Sequence, residues 1–216
     1  MSDYLDIRGE KYYTGGGNGR TVVAMDHNNS VLSAPGGSAY GATRRRGKGY
    51  TVRTATLFAP LVAYPTTVAA LEVYNNDPAR VMMVSDLHAA QILSTAAEQA
   101  NAIYAMITTT KAVPTLTALS VFSLKGDEIT TPTASGKIVT GVGTTVVANG
   151  WQPYGQGGNW GTGTATPGPA WSVPIDGKLT VPYQCSICLH VAGALATASS
   201  FQVGFTFDWE SVVMES

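Results

Sequence analysis

The stretch Phe201-Gln202-Val203-Gly204-Phe205-Thr206-Phe207-Asp208-Trp209-Glu210 decides the fold class. Phe201, Val203, Phe205, Phe207 and Trp209 alternate with Gln202, Gly204, Thr206, Asp208 and Glu210. In an extended chain successive side chains point to opposite faces, so this order makes one apolar face and one polar face. A helix would scatter the same five apolar residues around its axis. The segment is a half-buried strand, and its apolar face needs a second layer to cover it.

The same period recurs upstream. Cys185, Ile187, Leu189 and Val191 alternate with polar or small residues. Before them, after a turn at Asp176-Gly177, Leu179, Val181 and Tyr183 face one way and Lys178, Thr180 and Pro182 the other. Ala69, Leu71 and Val73 alternate with Ala70, Glu72 and Tyr74, and Asn75-Asn76-Asp77-Pro78 then turns the chain into Arg80 to Val84. A turn between two strand-like runs reads as a hairpin. Tyr50 to Phe58, Leu116 to Leu124 and Lys137 to Val147 are further strand candidates, with turns at Gly126-Asp127 and Asn149-Gly150. Two segments break the pattern. Leu93, Ala96, Ala97, Ala100, Ile103 and Ile107 have helical spacing behind a capping Asp86, which predicts a short helix or irregular segment near 86–100 followed by a strand. Trp151 to Pro169 (WQPYGQGGNWGTGTATPGP) carries too much Gly and Pro for a ladder and reads as a long exposed loop.

About eight or nine strands with Gly, Pro and Asn turns and no α/β alternation predict an all-β fold, a jelly-roll-like antiparallel β-sandwich with at most one short helix. Residues 1–49 read as an N-terminal arm and turn-rich segment, and 50–216 as the sandwich domain. A chain of 216 residues can bury roughly 70% of its surface, enough for a core without disulfide or metal staples.

Charge is scarce. Thirteen Lys and Arg against fourteen Asp and Glu leave a net charge of −1, and charged residues are 12% of the chain, about half the usual share of roughly 25%. A nucleic-acid binder working through overall charge is disfavoured, because phosphate affinity scales with the cations presented. Disorder throughout is excluded by the 44% hydrophobic content. No apolar run reaches the roughly 20 residues that span a bilayer, so no membrane partner is expected. The start MSDYLDIRGEKYY lacks the basic-then-apolar profile of a secretion signal, and the expectation is cytoplasmic synthesis without cleaved-signal export. A surface poor in Lys and Glu suits Thr-rich strand faces, and it suits a subunit that hides its exterior against copies of itself.

No catalytic constellation emerges, and the expectation is a protein without enzymatic activity, cofactor or metal. Cys185 and Cys188 form a lone C-x-x-C inside a strand, where odd spacing sends the thiols to opposite faces. No second pair completes a zinc site. His27, His88 and His190 are scattered, with His190 expected to face solvent or an interface. Gly15 to Gly19 lacks the Gly-Lys-Ser/Thr ending of a phosphate loop. Asp208 and Glu210 share a strand face instead of opposing each other across a cleft.

Two clusters are candidates for partner contact. Arg44, Arg45, Arg46 and Lys48, with Arg53 close by, form an electropositive loop set between glycines. It reads as a contact for an acidic partner surface or packaged nucleic acid, or as a solvated loop neutralised by this chain's own or a neighbouring copy's carboxylates. Trp151, Tyr154 and Trp160 in the long loop read as interface or sugar-stacking rings, or as anchors that plug the end of the scaffold.

The run DGKLTVPYQCSICLHVAGALATASSFQVGFTFDWESV, residues 176–212, resembles the closing strands of small jelly-roll virion proteins of tailed bacteriophages. In these an entry of the "DGKL-VP" kind leads to paired final strands with a Trp and Glu at the close, here Asp208-Trp209-Glu210. The resemblance implies a capsid decoration (cement) or head-fibre type protein located in the virion. It implies a homo-oligomer, commonly a trimer, that contacts the major capsid protein or other virion subunits. The glycine-rich N-terminal part and the Arg44–Arg46 cluster depart from a simple decoration domain and leave room for a minor capsid or tail role. The alternative is a receptor- or carbohydrate-binding module of a phage fibre or tail.

Overall fold

A computed structural model describes residues 48–94, 99–109, 119–124, 136–146, 150–159, 170–193 and 199–211. Apart from Lys48 and Gly49, the N-terminal arm lies outside the described residues. The described residues form ten strands: β1 (Gly49–Arg53), β2 (Val68–Asn75), β3 (Arg80–Ser94), β4 (Gln99–Thr109), β5 (Val121–Ser123), β6 (Ile138–Thr145), β7 (Gln152–Asn159), β8 (Ala170–Val181), β9 (Cys185–Gly193) and β10 (Ser199–Ser211). They form two five-stranded sheets, ordered β5-β1-β10-β3-β8 and β6-β2-β9-β4-β7, with every pairing antiparallel. Among the described residues there is no helix.

No two strands adjacent in a sheet are adjacent in sequence. Apart from the step from β6 to β7, each connection carries the chain from one sheet to the other. With β5 and β6 set aside as edge additions, the sheets read β1-β10-β3-β8 and β2-β9-β4-β7. That is the winding of a jelly roll, as the alternation predicted.

The core lies between the sheets and is built on β10. Phe201, Val203, Phe205 and Phe207 are fully buried and Trp209 nearly so. Tyr50 on β1 stacks on Phe207 at 5.7 Å and meets Trp209 edge-on at 6.0 Å. Leu71, Val73, Ile103, Ile187, Leu189 and Val191 close the core from the second sheet. Each large side chain so buried contributes about 1.5–3 kcal/mol.

Three sequence expectations are corrected. Segment 86–94 is strand, not helix, because a bulge at Ser85 shifts the phase of β3. Thr206 pairs with Asp86 and Phe207 with Val84, so Ser85 is the extra residue of the bulge. Met82 and Val84 before the bulge, and Leu87 and Ala89 after it, therefore all face the core despite their odd spacing. Asp86 is no helix cap: its carboxylate accepts from Thr206 Oγ1 at 3.1 Å. The apparent hairpin at Asn75–Pro78 is a corner between sheets, with β2 in one and β3 in the other. Asn75 ties that corner by donating from Nδ2 to the carbonyls of Arg80 (2.9 Å) and Val181 (3.0 Å). Its Oδ1 accepts from the Asp77 N–H at 3.0 Å. Third, Gln152–Asn159 is a strand despite its Gly and Pro. As an edge strand β7 pairs only with β4, so the missing N–H of Pro153 is tolerated. Gly155, at φ +66°, forms the bulge opposite Ala102 and Ile103. Residues 160–169 of the expected loop lie outside the described residues.

Gly204 is where β10 admits no side chain. A Cβ there would collide with the Val52 carbonyl oxygen and His88 Nε2 and lie 2.9 Å from Arg53 Cβ. Gly204→Ala is therefore expected to cost about 1–3 kcal/mol of unfolding free energy, measured by urea titration. An unchanged midpoint would contradict the close packing of β1, β10 and β3.

Candidate functional site

Of the residues expected to touch partners, Arg44, Arg45, Arg46 and Trp160 lie outside the described residues. Lys48 opens the ladder: its carbonyl accepts from the Trp209 N–H at 2.9 Å, immediately before β1. Trp151 and Tyr154 do not form an exposed aromatic platform. Trp151 is 1% exposed and lies in a second apolar cluster with Ala69, Met106, Val146 and Cys188. Its indole N–H donates to the Thr66 carbonyl at 2.9 Å, and its own carbonyl accepts from the Tyr64 hydroxyl. Tyr154, opposite Ile103 on β7, packs against the main core, and its burial raises the phenol pKa. Of the two readings for these rings, Trp151 takes the anchor.

What Trp151 anchors is the connection from β1 to β2, residues 54–67, which passes from one sheet to the other. Phe58 bridges to Phe201 of the first sheet, and Leu61 bridges to Ala192 of the second. The Leu61 N–H donates to Val191 at 2.9 Å and its carbonyl accepts from Gly193 at 2.7 Å. Tyr64 meets Tyr104 edge-on at 5.4 Å. The strap is thus fixed at several points, yet its outer side is apolar. Val62 is 69% exposed, Tyr64 53%, Leu57 46% and Val68, at the start of β2, 42%. No charged residue occurs from Thr54 to Leu71. This surface escaped the sequence reading, although the charge-free run was a visible signal. Attention to periodicity assigned Tyr50 to Phe58 to one strand, which in fact ends at Arg53, and passed over the residues that follow.

The strap also explains why the expectation for His190 fails. Its side chain does lie on the face of β9 opposite Ile187 and Leu189, but it is 4% exposed. Phe58 covers the ring edge-on at 5.2 Å. Desolvation lowers its pKa, and the neutral ring accepts the Val191 N–H on Nδ1 at 2.9 Å. His88, beside Gly204 on β3, is likewise held below the ordinary imidazole pKa by burial, which outweighs the opposing pull of Asp86.

Cys188 and Cys185 are free and separate as the alternation predicts. Cys188 is buried in the second cluster, and Cys185 is half-buried against the main core. Among the described residues no group of three or more His, Cys, Asp or Glu converges. At the β2–β3 corner the buried Asp77 lies 3.5 Å from Lys137 and 3.9 Å from Arg80. No protein-family model and no curated protein matches the chain.

Burial, with Glu72 adding to it, pushes the Cys188 thiol pKa far up, so little thiolate is present to react at neutral pH. A disulfide-exchange thiol reagent is expected to modify Cys185 in the folded protein and to reach Cys188 only in denaturant. Equal rates for both thiols under native conditions would contradict the packing around Trp151.

Proposed function

We propose that this chain is a non-enzymatic structural protein of a virus particle. It acts as a capsid decoration (cement) or minor capsid protein, as a homo-oligomer of trimer type that also contacts other particle subunits. The observation that carries this reading is the strap: a firmly anchored, charge-free surface with four exposed apolar side chains on a stiff sandwich. Contiguous exposed apolar surface marks contact sites in soluble proteins, and a fixed strap loses little conformational entropy when it binds. The resemblance of residues 176–212 to phage virion proteins supplies the biological setting. The jelly-roll winding is compatible with it but ranks nothing alone, since the same fold serves capsid proteins, lectins and cupins.

The mechanism is mechanical. An apolar side chain covered by a neighbour contributes about 1.5–3 kcal/mol, and contacts repeated over identical copies act together, since each contact made raises the effective concentration for the next. Sparse charge lowers the desolvation cost of those contacts. The alternative, sugar stacking on Trp151, Tyr154 and Trp160, loses support because Trp151 is buried and Tyr154 packs inward.

Light scattering of the full chain is expected to give the mass of an oligomer. Val62→Asp with Leu57→Asp should weaken association tenfold or more, with the β-sheet circular dichroism unchanged. A wild-type protein that stays a single chain at high concentration would overturn the proposal.

A further inference from the structure

A second feature lies inside the sandwich, away from the strap's exposed side. Gln91 on β3 continues the core-facing row of Leu87 and Ala89, and Asn101 on β4 begins the core-facing row of Ile103 and Ala105. The two strands are consecutive, one in each sheet, and both residues lie near the end where residues 95–98 join them. Gln91 is 1% exposed and Asn101 2%. None of their four amide atoms has a hydrogen-bond partner, and neither has the indole N–H of Trp171. Trp171 belongs to the same corner. It pairs with Ala89 across β8 and β3 and meets Phe201, the cross-strand neighbour of Gln91, edge-on at 5.9 Å.

Burying a carboxamide without a partner is costly, and a group so buried normally bonds to protein or to bound water; with no protein partner for either carboxamide, the partner must come from outside the chain. The sequence leaves room for one. Asn101 is flanked in its sheet by Gly193 on β9 and Gly157 on β7, so neither neighbour sends a side chain inward beside it. The chemistry of the occupant follows from the groups present. Two carboxamides offer donors and acceptors together and the indole adds a donor, while the buried acids among the described residues sit elsewhere: Glu72 opposite Cys188, Asp208 opposite Met83 and Asp77 at the β2–β3 corner. An ion would be left without a counter-charge; a hydroxyl, which both donates and accepts, matches.

We propose that this end of the sandwich interior is a binding site for uncharged hydroxyl-bearing molecules, held between the carboxamides of Gln91 and Asn101 and the Trp171 indole. Two sources carry that chemistry: ordered water, and a small polyol or monosaccharide. The site is independent of whether the chain assembles.

Three measurements on the full chain test it. Water-to-protein nuclear Overhauser spectra should show long-lived contacts at the side-chain amides of Gln91 and Asn101. Saturation-transfer spectra with glycerol and with mannose test the second source. Transfer that disappears in Gln91→Leu would assign the site to polyols, and water contacts alone would assign it to hydration; either result upholds it. Gln91→Leu should also lower the thermal midpoint by several degrees, because it strands the bound hydroxyls and Asn101. A dry corner, with no water contact, no transfer and a raised midpoint in Gln91→Leu, would overturn the proposal. So would a crystal structure in which the two carboxamides bond directly to each other.

Discussion

The fold depends on the burial of one face of β10 between two neighbours that fix its register. β1 holds Gly49 to Arg53 against Asp208 to Gly204, and β3 holds the other edge along the full strand. A slip of one residue would move Phe201, Val203, Phe205, Phe207 and Trp209 out of the core and put Gln202, Thr206 and Asp208 into it. Gly204 adds a steric condition to the apolar one, since only the true register places a residue without Cβ beside Val52 and His88. The guanidinium of Arg80 over the Trp209 ring, at 4.6 Å, closes the row. Because β10 joins strands far from it in sequence, the central pairings wait for nearly the whole described chain. Folding of this winding is slow for its size.

The winding also dictates where surface and chemistry fall. Connections must pass between sheets, so the link from β1 to β2 becomes a strap that covers His190 and is pinned by Trp151. The second sheet is consequently buried on more than one face: every residue from Ala69 to Asn75 is buried, although the row alternates. At the opposite end of the strands, the β2–β3 corner is wired by Asn75 and Asp77. The exposed apolar strap and the structural corner are thereby kept apart on one small scaffold.

Strands whose alternation runs unbroken were legible from sequence: β10, β9 and the Leu179–Val181 half of β8. The misreadings share a physical cause. At Ser85 a bulge shifts the phase, and a period counted through it looks irregular or helical. At Asp176 and Gly177, left-handed backbone inside β8 (φ 53° and 76°) looks like a turn between elements. At Pro153 and Gly155 the composition argues for a loop, while edge position makes the same residues tolerable. Partner choice was beyond reach for a different reason, because Asn-Asn-Asp-Pro bends a hairpin and a sheet-to-sheet corner equally well. The candidate site was legible only in part. Trp151 stood out as an aromatic, but its burial depends on Tyr64 and Thr66, which sit in a run whose missing charge was the more informative signal.

Native-state hydrogen exchange tests the central claim most directly. If the register of β10 holds the sandwich together, the amides of Val203, Phe205 and Phe207 exchange only through global unfolding, with an opening free energy equal to that from denaturant titration. If those amides exchange through a smaller opening while the β2–β9 and β4–β9 ladders remain protected, β10 is an addition to a core formed without it.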